Sequence, residues 1–287
     1  MFKCENILFP VEFSQRDEAA ATFVLSMAQR YSARVALLHV LQPPPPIYAG
    51  MGAVYPEAFD YEGATEDLRV DLNKFAEAQL PKVNVECVVE VGDPANAISQ
   101  YACANGMDLI AMPTHGYGAF RRALLGSVTA KVLHDSKLPV WTAAHAPEPS
   151  HRAHPQPRRI LCAIDMKPES RRTLEIAIYL ATDAGATLEL VHVPAENVSL
   201  DAAEQRLQEL LVEAARAENV QIQETPRIAI RPEGEGGDVA EGIRDLALRN
   251  RADLVVIGRG AIRTGLGRLY AHSYDIIRES PCPVLSV

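Results

Sequence analysis

Short, continuously apolar runs alternate along the chain with longer stretches whose apolar positions recur at helical spacing. The first run, Ile7 to Val11, leads into a helix-period segment from Asp17 to Tyr31. A second run, Arg34 to Leu41, is separated from a helix over Thr65 to Ala78 by a loop, Gln42 to Gly63. Then come a strand over Val83 to Val91, a helix over Pro94 to Asn105 and a strand over Leu109 to Met112. Gly92-Asp93-Pro94 is a helix start, with Asp93 as N-cap and Pro94 at the first helical position. A glycine-containing loop, a helix over Ser127 to Asp135 and a closing strand from Pro139 complete the set. Strands alternating with helices predict a parallel sheet covered on both faces, and short strands apolar throughout suit that burial.

The pattern is written twice. "NILFPVEFS…ARVALLHV" from Asn6 matches "RILCAIDMK…ATLELVHV" from Arg159 without a gap, setting Glu12 against Asp165 and His39 against His192. "VGDPANAISQYACANGMDLIAM" from Val91 matches "GGDVAEGIRDLALRNRADLVVI" from Gly236, pairing Asp93 with Asp238 and Asp108 with Asp253. "LPVW" from Leu138 returns as "CPVL" from Cys282. Three matches in the same order mark a tandem duplication. The seam lies in "AAHAPEPSHRAHPQPRR", whose prolines and polar residues read as an extended linker. The domains are therefore placed at 1–144 and 158–287. The predicted fold class is α/β: two tandem Rossmann-like units, each a five-stranded parallel sheet of order 3-2-1-4-5 flanked by helices.

Composition narrows the function. The 287 residues suffice for two cores, and a formal net charge of −9 disfavours nucleic acid and anionic membrane as partners. No apolar run approaches the roughly 18 residues of a membrane span. The first residues, "MFKCENILFPVEFS", do not read as a signal peptide, so the expected location is the cytoplasm. The five cysteines show no metal-ligand spacing and are expected to be reduced, buried thiols.

Ligands of an open α/β sheet bind beyond the carboxyl ends of the strands where the strand order reverses. In the first repeat the residues leaving those strands are Pro10 to Ser14 and Pro113 to Gly116. The loop after Pro113 ends at Gly126-Ser127, directly before a helix. The free N–H groups of Ser127, Val128 and Thr129 and the helix dipole suit an anion there. Gly126 allows close approach, the Ser127 and Thr129 hydroxyls are candidate donors, and Arg121 or Arg122 could add charge. On pattern alone, a phosphate site and a plain loop before a capped helix both remain open.

The spacing Gly-x-x-Gly-x9-Gly-Ser after a strand ending Asp-Leu-Ile-x-Met resembles the ATP-binding signature of the universal stress proteins. "ILFPVEFS", "LLHV", "VGDPA" and the closing "LPVW" and "CPVL" fit the same family across both repeats. The resemblance implies ATP, with Mg2+ as an open addition, bound chiefly in the first repeat, and a stress-response role that is regulatory. It puts Pro10, Val11 and Glu12 on the nucleoside side and Val40 near adenine. It implies that Gly116, Gly126, Ser127, Val128 and Thr129 enclose the phosphates, with Met112, Pro113, Thr114, His115 and Arg121 completing the cofactor-binding set. Two positions depart from the pattern: Pro113 replaces the first glycine and removes an N–H, and Glu12 stands where aspartate is usual. In the second repeat Asp165 keeps the acid and Gly258 the first glycine, but Gly-Ser at the helix start is lost. Arg259, Arg263 and Arg268 remain as candidate anion contacts.

Simpler roles stand beside these. Glu12 and Asp165 read equally well as helix caps, His39 and His192 recur through duplication alone, and His115 as a solvated loop histidine. No catalytic residue or metal ligand is assigned, since no nucleophile is placed beside a base; ATP hydrolysis, if any, would be slow. The rivals are a nucleotide-free dimerising scaffold and a slow ATP hydrolase or transferase. The closing strands are apolar sheet edges. Single-unit members of the family the chain resembles commonly dimerise through this strand, so the resemblance implies that the two pair antiparallel within one chain, as an intrachain pseudo-dimer with Trp141 shielded at the contact. A homodimer is left open.

Overall fold

The computed structural model describes residues 2–43, 47–49, 52–54, 60–114, 125–143, 156–165, 167, 170–193, 199–217, 227–230, 239–259 and 268–287. The chain divides into two compact units, one of Cys4–Ala111 and one of Met1–Lys3 with Met112–Val287.

In the unit Cys4–Ala111, β1 (Asn6–Pro10) is followed by α1 (Gln15–Tyr31), β2 (Arg34–Leu41), α2 (Tyr61–Gln79), β5 (Val85–Val91) and α3 (Pro94–Ala104). A small antiparallel hairpin, β3 (Ile47–Ala49) with β4 (Gly52–Val54), lies between β2 and α2. The sheet is parallel. β1 pairs with β2 from Asn6 opposite Arg34 to Pro10 opposite Leu38, and β2 pairs with β5. On its other side β1 pairs with β6 (Leu109–Pro113), through Ile7 opposite Leu109. Ile7, Leu8, Phe9, Leu37, Leu38, Leu72 and Ile110 are fully buried and form this core. Asp93 caps α3 as expected, accepting from the Asn96 N–H.

Two elements differ from the sequence reading. The stretch Gln42 to Gly63 contains the β3–β4 hairpin, whose three-residue strands are too short to show a period of two. Helix α2 begins at Tyr61 instead of Thr65, because Asp60 is its N-cap and accepts from the Gly63 N–H at 2.8 Å. Gly63 belongs to the first turn and does not end the loop.

In the unit that includes Met112–Val287, α4 (Ser127–Asp135) and β7 (Val140–Ala143) end the first repeat. The second repeat runs β8 (Arg159–Ala163), α5 (Ser170–Ala184), β9 (Thr187–His192), α6 (Leu200–Ala217), β10 (Arg227–Ile230), α7 (Val239–Arg249), β11 (Leu254–Ile257), α8 (Arg268–Glu279) and β12 (Val284–Ser286). Its strands follow the order β10-β9-β8-β11-β12, the 3-2-1-4-5 winding, and are parallel throughout.

Strand β12 also pairs antiparallel with β7, joining the closing strands of the two repeats. Trp141 stands opposite Leu285, Val140 opposite Ser286 and Thr142 opposite Val284. Each repeat adds one hydroxyl bond across the seam: Thr142 Oγ1 donates to Val284 O at 3.3 Å and Ser286 Oγ to Val140 O at 3.4 Å. The two bonds join repeat-equivalent residues in opposite directions, as a local twofold requires. Trp141 is only 3% exposed, the shielding expected for it.

The duplicated Asp108 and Asp253 are structural. The Oδ2 of Asp108 accepts from the N–H groups of Glu5 and Asn6, and that of Asp253 from those of Arg158 and Arg159, fixing where β1 and β8 begin. The thiols divide. Burial pushes Cys4 and Cys282 up to about 12 and raises Cys162 further, which leaves them unreactive. Cys87 is half-buried and Cys103 is exposed, so the expectation of five buried cysteines fails at two positions. Cys103 lies near the exposed end of α3, where a helical stripe turns to solvent. Among the described residues no helix is long and apolar enough to cross a membrane.

Candidate functional site

In the unit Cys4–Ala111 the chain leaves β1 through a clamped loop. Pro10 and Val11 are buried, the Val11 N–H donates to Leu38 O at 2.9 Å, and Glu12 is exposed. The carboxylate of Asp17 accepts from the Glu12 N–H (3.0 Å), the Ser14 N–H (2.8 Å) and the Ser14 hydroxyl (2.9 Å). Ser14 in return caps α1, completing a capping box. Between the clamped amides Phe13 takes a φ of 58°, a left-handed conformation that a bulky residue adopts only when its surroundings impose it. Burial pushes the Asp17 carboxyl up, against the hydrogen bonds from Ser14 and Glu12 that lower it. The cap of α1 is thus Ser14 with Asp17. Glu12 contributes its backbone N–H to the Asp17 carboxylate and is itself exposed.

His39 closes the same loop. Its Nδ1 lies 2.8 Å from Val11 O, and Phe13 stacks on its ring at 5.0 Å. A carbonyl can only accept, so Nδ1 carries the proton. Val40, the next residue on β2, is half-buried. The second repeat repeats the arrangement: His192 Nδ1 donates to Ile164 O at 2.7 Å. Duplication therefore preserved a function for the histidine, that of tying the loop after the first strand to the end of the second.

His192 also makes stability depend on pH. Burial holds its pKa below the ordinary 6.5, only partly offset by the Ile164 carbonyl and the Asp165 charge. The unfolded chain then binds the proton that the folded chain resists. Stability is full above about pH 6.5 and falls as the pH drops below it. Urea midpoints at pH 7.5 and 5.5 should differ less in His192→Gln than in the parent chain. An equal slope in both would assign the acid sensitivity elsewhere.

In the other unit the end of β6 meets the start of α4. Met112, Pro113 and Thr114 are buried. The Gly126 N–H donates to Thr114 O at 2.8 Å, and the Thr129 hydroxyl to Pro113 O at 3.1 Å. The Thr114 N–H and hydroxyl both donate to Ala143 O, at 3.2 and 3.0 Å, tying β6 to the end of β7 as the fifth strand of the first repeat. The loop after β6 is therefore closed at its base. His115, Gly116, Arg121 and Arg122 lie outside the described residues.

Helix α4 starts at Gly126 with no side-chain cap, whereas α1, α2 and α3 are capped by Ser14, Asp60 and Asp93. Gly126 has φ −60° and ψ 141°, an extended conformation open to any residue. The backbone does not require a glycine there, so its use leaves the helix start bare. The first intrahelical bond runs from the Ala130 N–H to Gly126 O, which leaves the N–H groups of Ser127, Val128 and Thr129 directed out of the helix. Ser127 is exposed and Val128 half-buried. One expectation is corrected: the Thr129 hydroxyl is buried and engaged by Pro113 O, so Thr129 can offer a ligand only its backbone N–H.

The second repeat uses its corresponding residues internally. Asp165 Oδ1 accepts from the Ser170 hydroxyl and, at 3.2 Å, from the Lys167 N–H, and its Oδ2 pairs with Lys167 Nζ at 3.0 Å. Burial raises the Asp165 carboxyl, but Ser170 and Lys167 together hold it below its ordinary range. Its observed role is to brace the turn before α5, through the Lys167 N–H and the Ser170 hydroxyl. At Gly258 a Cβ would lie 3.0 Å from Thr173 Oγ1, so close packing on α5 accounts for that glycine. Arg259 does not face an open anion site: its guanidinium donates to Leu133 O at 3.1 Å, Ser136 O at 2.7 Å and Leu138 O. Arg263 and the side chain of Arg268 lie outside the described residues. Asp17 carried a readable signal, Ser-x-x-Asp before an apolar run. The partners of Thr129 and Arg259 had none.

Comparison with known proteins agrees with the duplication. The chain matches the universal stress protein family over residues 3–143 and again over 157–287. It is 32% identical over 144 residues to the universal stress protein in the QAH/OAS sulfhydrylase 3′ region of Thermus aquaticus, covering 49% of this chain and 97% of that protein. It is 29% identical over 141 residues to universal stress protein MJ0531 of Methanocaldococcus jannaschii, covering 47% and 79%. Among solved structures, a universal stress protein from Archaeoglobus fulgidus superposes with a TM-score of 0.66 at 22% identity, over 99% of this chain and 96% of that one.

Proposed function

We propose that this chain, which belongs to the universal stress protein family, binds the phosphates of an adenine nucleotide at the start of α4 and acts in the stress response as a cytoplasmic, nucleotide-dependent regulatory protein. The observation that carries the reading is the bare helix start at Gly126-Ser127. Among the described residues, α4 is the helix of the first repeat without a side-chain cap, and its glycine start, which the backbone does not require, presents the N–H groups of its first turn and the positive end of the helix dipole. The base of the loop is fixed by Gly126 and Thr129, so these donors are held in place before a ligand arrives. The proposal keeps His115, Gly116 and Arg121 on the phosphate side, and Mg2+ as the nucleotide's counter-ion.

The second repeat is assigned no nucleotide, since Asp165, Gly258 and Arg259 all have structural partners. Isothermal titration with Mg·ATP tests both parts, the expected result being saturable binding of one nucleotide per chain. Two equivalents would restore a site to the second repeat. No binding would favour the nucleotide-free scaffold, a reading supported by the N–H missing at Pro113.

A further inference from the structure

Helix α4 is held at its far end by the second repeat. An α-helix leaves its last four carbonyls without intrahelical donors. In α4 the Val132 carbonyl is closed by the Ser136 N–H. Arg259 reaches the Leu133 carbonyl, and beyond the helix those of Ser136 and Leu138. One guanidinium thus binds three carbonyls at the negative end of the helix dipole. Midway along α4, the Tyr274 hydroxyl of α8 donates to Ala130 O at 2.9 Å.

The contact is one-sided. In the repeat alignment Arg259 occupies the place of Thr114. Both donate their backbone N–H to the end of the closing strand of their own repeat, Thr114 to Ala143 O and Arg259 to Val287 O. The Thr114 side chain stays on Ala143 O, while that of Arg259 crosses to the helix of the other repeat. The C-terminal end of α8 is closed locally, with the Ser280 N–H on Ile276 O and the Ser280 hydroxyl on Cys282 O. A position next to the glycine that the second repeat retained has become a grip on the first.

Resting on the reading that α4 receives the phosphates, we infer that Arg259 is a positioning residue for that site, which makes the second repeat a cis-acting clamp on nucleotide binding. The nine residues of α4 form a rigid rod about 13 Å long. A tilt at its C-terminal end therefore displaces the N–H groups at its start. Arg259 fixes that end and, by placing a cation there, favours the helix with its dipole intact. Coupling between two sites is reciprocal, so nucleotide at the start of α4 tightens the Arg259 contact at its end.

The test is Mg·ATP titration and amide hydrogen exchange on the full chain, the parent beside Arg259→Ala, Arg259→Gln and Arg259→Lys, with urea midpoints for each. Arg259→Ala and Arg259→Gln are expected to bind ATP about tenfold more weakly, within the usual span of coupling between sites. Arg259→Lys, which keeps the cation without the fork, should recover part of the loss. In the parent chain ATP should slow exchange at 132–138 and at 257–259, with no such slowing at 257–259 in Arg259→Gln. A parent chain that takes up no ATP overturns the nucleotide reading and this inference with it. ATP binding of parent strength in a folded alanine or glutamine variant overturns the inference alone. So does a parent chain whose exchange at 257–259 ignores bound ATP.

Discussion

Gly126→Val combined with Ser127→Ala is expected to lower ATP affinity by about 100-fold while the chain stays folded, since a hydrogen bond to a charged group contributes about 1.5–3 kcal/mol and each 1.4 kcal/mol is tenfold. The valine side chain fills the space a phosphate oxygen needs beside the first turn. The alanine removes the hydroxyl at its edge. Neither change disturbs what closes the loop, because residue 126 keeps its N–H for Thr114 O and Thr129 keeps its hydroxyl on Pro113 O. The backbone at 126 is extended and accepts a β-branched residue without strain. Titration with Mg·ATP, alongside a urea midpoint, reads binding and folding separately. A folded double variant with the parent affinity would remove the phosphates from α4.

The second large effect concerns the seam between the repeats. Trp141→Ala should cost about 3–5 kcal/mol, the usual range for truncating a buried aromatic. Trp141 sits at the midpoint of the β7–β12 pairing, opposite Leu285, and is 3% exposed. Removing the indole leaves a cavity that the hydroxyl bonds of Thr142 and Ser286 hold open, so the site cannot collapse freely. The measurement is the urea midpoint of the variant against the parent. Trp141 is the sole tryptophan, so acrylamide quenching of the parent reports on the same contact. A readily quenched indole would contradict the burial, and a cost under about 1 kcal/mol would mean the seam adds little to stability.

The meeting of β7 and β12 was legible from an edge argument joined to the resemblance to a family whose single-unit members pair through this strand. A short apolar closing strand must be covered, and the chain supplies two. The parallel sheet was legible because it depends on alternation and repeat, both of which survive in sequence, whereas alternation alone does not set the strand order. What escaped were hydrogen bonds whose partners are distant or whose direction is free. The Thr129 hydroxyl reads as a phosphate donor until the Pro113 carbonyl is seen sixteen residues earlier in the chain. Arg259 reads as an anion contact, being an arginine after a glycine, and only the fold brings Leu133, Ser136 and Leu138 to it. The helix start at Tyr61 was missed for a local reason: Gly63 suggested a loop, while Asp60 had already capped the turn containing it.

The paired hydroxyl bonds of Thr142 and Ser286 have a further consequence. Were the repeats separate chains, such a seam would form only as far as protein concentration allowed, and each copy would carry the same residues on both sides of the axis. Carried on one chain, the contact is governed by an effective concentration set by the connecting segment, which dilution cannot change. A mutation in one copy no longer appears in the other. Selection can then act on a residue such as Arg259 without forcing an arginine onto position 114, where Thr114 holds the base of the loop.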